Sequence, residues 1–123
     1  MNKRILLLDE CRKILDPYKW LLEKEGYEVF TAQNVDESIH IAAQCLREQK
    51  PIRVVIYDPE FSQDSRFLVV LGVPSCVMHC DPEVGKVVAD HLGYSRFLRK
   101  PFGREELSQV VAESLREANY RWN

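Results

Sequence analysis

The chain has 123 residues, 46% of them hydrophobic and 29% charged, with 17 Lys and Arg against 19 Asp and Glu. That is the make-up of one globular domain, large enough to need no disulfide or metal staple, and it excludes a disordered chain. A net charge of −2 with no Lys/Arg block gives no sign of a polyanion-binding surface.

Ile5 to Leu8 is a continuous apolar run that stops at Asp9-Glu10. It is too short for a signal peptide and no small-residue cleavage site follows; no stretch is long enough to span a membrane. An apolar run bounded by charge suits a strand buried on both faces. Ile14, Leu15, Tyr18, Leu21 and Leu22 then recur at helical spacing, and Gly26 is placed to cap that helix. Pro17 either sits in the first turn behind Asp16 as cap, or kinks the helix.

Tyr27 to Ala32 reads as a second strand. Asn34 and Glu37 have capping-box spacing ahead of a helix whose face is Val35, Ile39, Ala42, Ala43 and Leu46. Val54 to Tyr57 is a third strand, ending at Asp58. Between Pro59 and Gly72 only a short third helix fits, because Val69-Val70 is a poor helical pair. Ser75 to His79 is the fourth strand. Asp81-Pro82 opens a fourth helix as N-cap and first helical residue, and Gly93 ends it. Arg96 to Arg99 is the fifth strand, ending at Lys100-Pro101. Leu107, Val110, Val111, Leu115 and Ala118 line a final helix.

Cys11, Cys45, Cys76 and Cys80 form no CxxC pair, and no histidines stand at zinc-finger spacing. They read as reduced core residues of a cytoplasmic protein. His40 and His91 fall on helices, at or near the surface. His79, Cys80 and Asp81 alternate in direction along a strand, so they do not chelate one ion.

Five strands alternating with helices imply an α/β fold with a doubly wound parallel sheet. In such folds ligands collect at the carboxyl ends of the strands. Asp9 and Glu10 end the first strand, Asp58 the third and Lys100 the fifth. Acids at strand ends are also common because strands end where solvent begins. Three clustered carboxylates stay ionised only beside a cation, and their hard oxygens suit Mg²⁺. A metal and an ammonium flanking one carboxylate make a receptor for a phosphoryl group. Asp58 is the middle carboxylate and hence the candidate nucleophile.

Four segments then carry a resemblance: Arg4 to Glu10 (RILLLDE), Leu22 to Val29 (LEKEGYEV), Val54 to Asp58 (VVIYD) and Phe97 to Phe102 (FLRKPF). Together they resemble the receiver domains of bacterial two-component response regulators, and the likeness covers residues 1–123 as one receiver-like domain. It implies a flavodoxin-like three-layer sandwich with strand order 2-1-3-4-5 and, here, a shortened third helix. It implies that Asp58 is the phosphoacceptor and that Mg²⁺ is held by Asp9, Glu10, Asp58 and the backbone carbonyl of Glu60. Lys100 and His79 would contact the phosphoryl group, Phe97 would be the switch aromatic, and Pro101 a cis-proline. The implied partners are a sensor histidine kinase or phosphotransfer protein, and a downstream protein meeting the fourth helix, fifth strand and final helix. Lys86, Asp90, Tyr94, Arg96 and Arg99 are candidates on that face.

The resemblance implies no direct nucleic-acid contact and allows a homodimer. Such a domain catalyses only its own phosphoryl acceptance and loss, so it is not counted as an enzyme. No output domain follows in this sequence, and the last helix could lead into a linker.

Three features depart from the family pattern. Glu10 stands where Asp is usual, and its longer arm shifts or weakens a Mg²⁺ site. His79 stands where Thr or Ser is usual. Glu60 adds a negative charge beside the phosphoryl site. Glu10, His79 and the shortened third helix support an alternative: a degenerate receiver-like module that binds a protein partner without phosphorylation. A Mg²⁺-dependent phosphatase is disfavoured, because no DxD pair follows the first strand and no Gly-rich phosphate cradle is present.

Overall fold

A computed structural model describes residues 2–58, 74–79, 81, 83 and 96–122, with side-chain surroundings through 117 in the last helix. Five strands, β1 (Arg4–Leu8), β2 (Glu28–Ala32), β3 (Val54–Tyr57), β4 (Ser75–His79) and β5 (Phe97–Arg99), form one sheet. All neighbours are parallel, in the order β2-β1-β3-β4-β5. This is the strand order the resemblance implied. Three helices are described: α1 (Arg12–Lys24), α2 (Val35–Arg47) and α3 (Arg104–Trp122).

Side chains alternate across the strands, and each face carries its own core. Leu6, Leu8, Val55, Tyr57 and Val77 pack with Val35 and Cys45 of α2. Ile5, Leu7, Val54, Ile56, Cys76 and Met78 pack on the other face with Leu15 and Leu22 of α1 and Leu107 and Val111 of α3. The sheet is therefore covered on both faces, which is why its central strands are continuous apolar runs rather than alternating ones. Arg4 is buried at the start of β1 but paired, with Glu28 at 3.0 Å and Glu48 at 2.7 Å. Among the described residues no helix is long and apolar enough to cross a membrane.

Local signals set most of the helix ends. Gly26 takes φ +93° after α1. Its N–H donates to the Glu23 carbonyl, and the Tyr27 N–H donates to Leu22. That is the paired-bond cap for which glycine is favoured. Asn34 caps α2, its side chain accepting from the Glu37 N–H at 2.8 Å, and Glu37 reaches back to the Gln33 N–H at 3.3 Å. Asp81 accepts from the Glu83 N–H at 2.9 Å, the bond expected of a cap for the fourth helix.

Some expectations change. α1 starts at Arg12, so Asp16 is not its cap and Pro17 lies inside the helix. The buried face of α2 runs through Val35, Ser38 and Cys45, whereas Leu46 is 64% exposed. Cys45 and Cys76 are buried as expected, but Cys11 is exposed and is no core residue. The third helix, Cys80 and most of the fourth helix lie outside the described residues.

Candidate functional site

Register brings the strand ends together. Leu8 pairs with Tyr57, so the next residues, Asp9 and Asp58, stand side by side. Their backbones continue the ladder briefly: Asp58 N–H donates to the Leu8 carbonyl at 3.1 Å, and Asp9 N–H to Ala32 at 3.2 Å. On the far side, His79 pairs with Arg99, and the Lys100 N–H donates to the His79 carbonyl at 2.9 Å. Lys100 thus starts beyond β4 and spans back across it with a long side chain.

The Lys100 ammonium lies 2.5 Å from Asp9 Oδ2 and 2.9 Å from Asp58 Oδ2. All three side chains are largely enclosed, at 12, 7 and 17% exposure for Lys100, Asp9 and Asp58. Burial works against the ammonium, but the hydrogen bonds it donates to Asp9 and Asp58, and the charges of those carboxylates, outweigh it and hold Lys100 above its usual pKa. Asp9 also accepts the Cys11 N–H at 2.9 Å, which fixes its carboxylate to the start of α1.

Glu10 is not drawn into this cluster. It follows Asp9, is exposed, and its carbonyl accepts from Gln33 Nε2 at 2.9 Å. Among the described residues no three acidic, His or Cys side chains stand close enough to hold a metal. The donor chemistry of Asp9 and Asp58 still fits Mg²⁺, which needs only one or two carboxylates and keeps several waters. Glu60, expected to add a carbonyl, lies outside the described residues.

His79 is half-buried at the end of β4. Its Nδ1 stands 2.9 Å from the Asp81 N–H and 3.3 Å from the Asp81 carbonyl oxygen, so this nitrogen is engaged within its own turn and Nε2 is not part of that contact. Phe97 packs half-buried against the core on the α2 face, beside the row of Tyr57 and Val77. The Lys100–Pro101 peptide is cis. Arg99 is exposed, while Arg96 is paired with Glu117 of α3; Lys86, Asp90 and Tyr94 lie outside the described residues.

Sequence reasoning missed two supports of the site. Gln33, at the end of β2, holds the Glu10 carbonyl and also accepts from the Arg12 guanidinium at 3.3 Å. Tyr18 of α1 accepts the Phe102 N–H at 3.3 Å and stacks on the Phe102 ring. The available signal was the hydroxyl on an otherwise apolar helix face, because a buried tyrosine hydroxyl needs a polar partner.

No family model matches the chain. It is 26% identical over 129 residues to the alkaline phosphatase synthesis transcriptional regulatory protein PhoP of Bacillus subtilis (strain 168), covering 96% of this chain and 50% of that protein. The chain thus spans about half the length of this curated relative. A response regulator receiver domain protein from Clostridium thermocellum superposes with TM-score 0.75 at 24% identity, covering 95% of this chain and 97% of that one. The CheY-like receiver domain protein from Methanospirillum hungatei JF-1 gives TM-score 0.73 at 23% identity, covering 98 and 99%. The chain has the fold of a receiver domain. The sequence likeness to PhoP and the fold shared with response regulator receiver domains agree with each other.

Proposed function

We propose that this receiver-type domain accepts a phosphoryl group on Asp58 from a histidine kinase or phosphotransfer protein and thereby changes a protein-binding surface. The observation that carries the reading is the Lys100 ammonium held between Asp9 and Asp58. An Asp58 carboxylate oxygen attacks phosphorus, the bond from phosphorus to the donor nitrogen breaks, and the departing imidazole takes a proton. Lys100, already beside Asp58, stabilises the negative charge that gathers on the phosphoryl oxygens.

His79 Nε2, when it carries the ring proton, offers a second donor. Asp9 and Asp58 would hold Mg²⁺, with the Glu60 carbonyl completing the protein ligands and Glu10 acting from the rim. The bound ion would neutralise charge on the phosphoryl oxygens. Phe97 is the aromatic whose rearrangement would carry the change to the surface formed by the fourth helix, β5 and α3. On this reading the domain acts only on itself and is a signalling module rather than an enzyme.

A second reading is a protein-binding module that works without phosphorylation. The exposure of Glu10 and the use of His79 Nδ1 within its own turn favour it.

Intact mass after incubation with Mg²⁺ and acetyl phosphate separates the two. The first reading expects a gain of one phosphoryl group, absent in Asp58→Ala. No gain in the unaltered protein would favour the second.

A further inference from the structure

We propose that Tyr18 is a positioning residue for Lys100; its role in the reaction rests on the reading of Asp58 as phosphoacceptor. Lys100 reaches from the end of the edge strand β5, across β4, to carboxylates following β1 and β3. Its own backbone N–H is tied to the sheet at the His79 carbonyl. Two residues on, the Phe102 N–H donates to the Tyr18 hydroxyl at 3.3 Å. The two rings stack, with centroids 4.0 Å apart and planes 15° apart. Phe102 is itself buried beside Leu107 and Val111.

The Lys100–Pro101–Phe102 segment is therefore clamped at both ends, by β4 before it and by α1 after it. The helix supplying the second clamp also fixes one of the lysine's carboxylates. Asp9 Oδ1 accepts the N–H of Cys11, the residue that opens α1. A closed circuit results, from Asp9 to Cys11 at the start of α1, along about two turns to Tyr18, across to Phe102, and back through Lys100 to Asp9. In that circuit Tyr18 sets the distance between the ammonium and the carboxylates. Packing alone requires only the ring; the hydroxyl bond to a backbone N–H sets the height of the Phe102 turn as well.

The test compares the unaltered protein with Tyr18→Phe and Tyr18→Leu. Three quantities are read: hydrogen exchange of the Phe102 amide, the NMR signals of the Lys100 side-chain methylene next to nitrogen, and the initial rate of phosphoryl acceptance at saturating acetyl phosphate and Mg²⁺. Tyr18→Phe keeps the stack and the fold. It should speed exchange at Phe102 about fivefold, the worth of one neutral hydrogen bond, and shift the Lys100 signals. Tyr18→Leu also loses the stack and should slow phosphoryl acceptance roughly tenfold, without weakening acetyl phosphate binding. Unchanged Lys100 signals in both variants, beside a lowered melting temperature, would make Tyr18 a packing residue only and overturn the proposal. If the unaltered protein takes no phosphoryl group, the reading of Asp58 fails on its own. The Lys100 signals then decide whether Tyr18 positions the lysine.

Discussion

Asp9 and Asp58, 49 residues apart in sequence, are bridged by one ammonium, that of Lys100, at 2.5 and 2.9 Å. The three charges act as a unit, so their energies should not add. Lys100→Met leaves two enclosed carboxylates facing each other. We expect a loss of about 3 kcal/mol in Mg²⁺-free buffer, the lower end for removing one partner of a buried ion pair. Asp58→Asn should cost about 1 kcal/mol or less, because Lys100 keeps Asp9. The double variant should be more stable than Lys100→Met alone, since the repulsion is gone. Urea unfolding of the four proteins measures the cycle, and simple additivity would show that the three groups are not coupled.

The same geometry separates Asp9 from Glu10 as metal ligands. Asp9 is 5% exposed and shares the Lys100 ammonium with Asp58, while Glu10 is exposed and its backbone carbonyl accepts from Gln33. An exposed charge acts through water and salt, a direct ligand does not. Asp9→Asn should weaken Mg²⁺ binding by at least about tenfold, and Glu10→Gln by no more than about threefold. Titration calorimetry with Mg²⁺ alone checks this. Equal losses for the two variants would put Glu10 in contact with the ion.

The strands and their charged ends were legible because both come from local sequence. Val54–Tyr57 is an apolar run, and Ser75–His79 has an apolar centre, Cys76–Met78, bounded by polar residues. The start of α1 was not legible, since Cys11 supplies no side-chain cap and the Asp16-Pro17 pair imitates a start. Leu46 was assigned to the core because periodicity does not fix the phase of a helix whose apolar residues include Ala42, Ala43, Cys45 and Leu46 in close succession. One residue of rotation puts Cys45 inward and Leu46 outward. Tyr18 and Phe102 are 84 residues apart, and no local pattern reports a bond of that span. The place of Glu10 depended on which way a single residue turns after a strand ends.

Gly26 provides a prediction about stability free of the site. Its φ of +93° is required by the cap after α1, and an added Cβ would meet nothing within 4 Å. The cost of Gly26→Ala is therefore conformational, about 1 kcal/mol. Gly26→Asn should cost less, because asparagine tolerates the left-handed region better. Urea unfolding of both variants checks the order; an alanine variant as stable as the parent would mean the turn adopts another path.

Glu25, the residue before that glycine, ties α1 to α3. Its carboxylate accepts from the Ser108 hydroxyl at 2.5 Å and from Arg104 Nε at 3.3 Å. The Ser108 bond first, and Arg104 second, hold its pKa below the ordinary value of 4.5, with burial opposing them. A carboxyl lowered on folding adds stability above its unfolded pKa, and that stability is lost as pH falls from 4.5 through the folded value. Glu25→Gln should therefore flatten the acid side of the stability profile below about pH 4.5 and leave its slope near neutrality unchanged. Ser108→Ala should flatten the same region, because it removes the larger of the two favourable partners. Chemical unfolding across that range, with both variants beside the parent, is the measurement. An acid slope untouched in both would mean that the Glu25–Ser108 bond does not persist in solution and that α3 docks through its apolar face, Leu107 and Val111 among it.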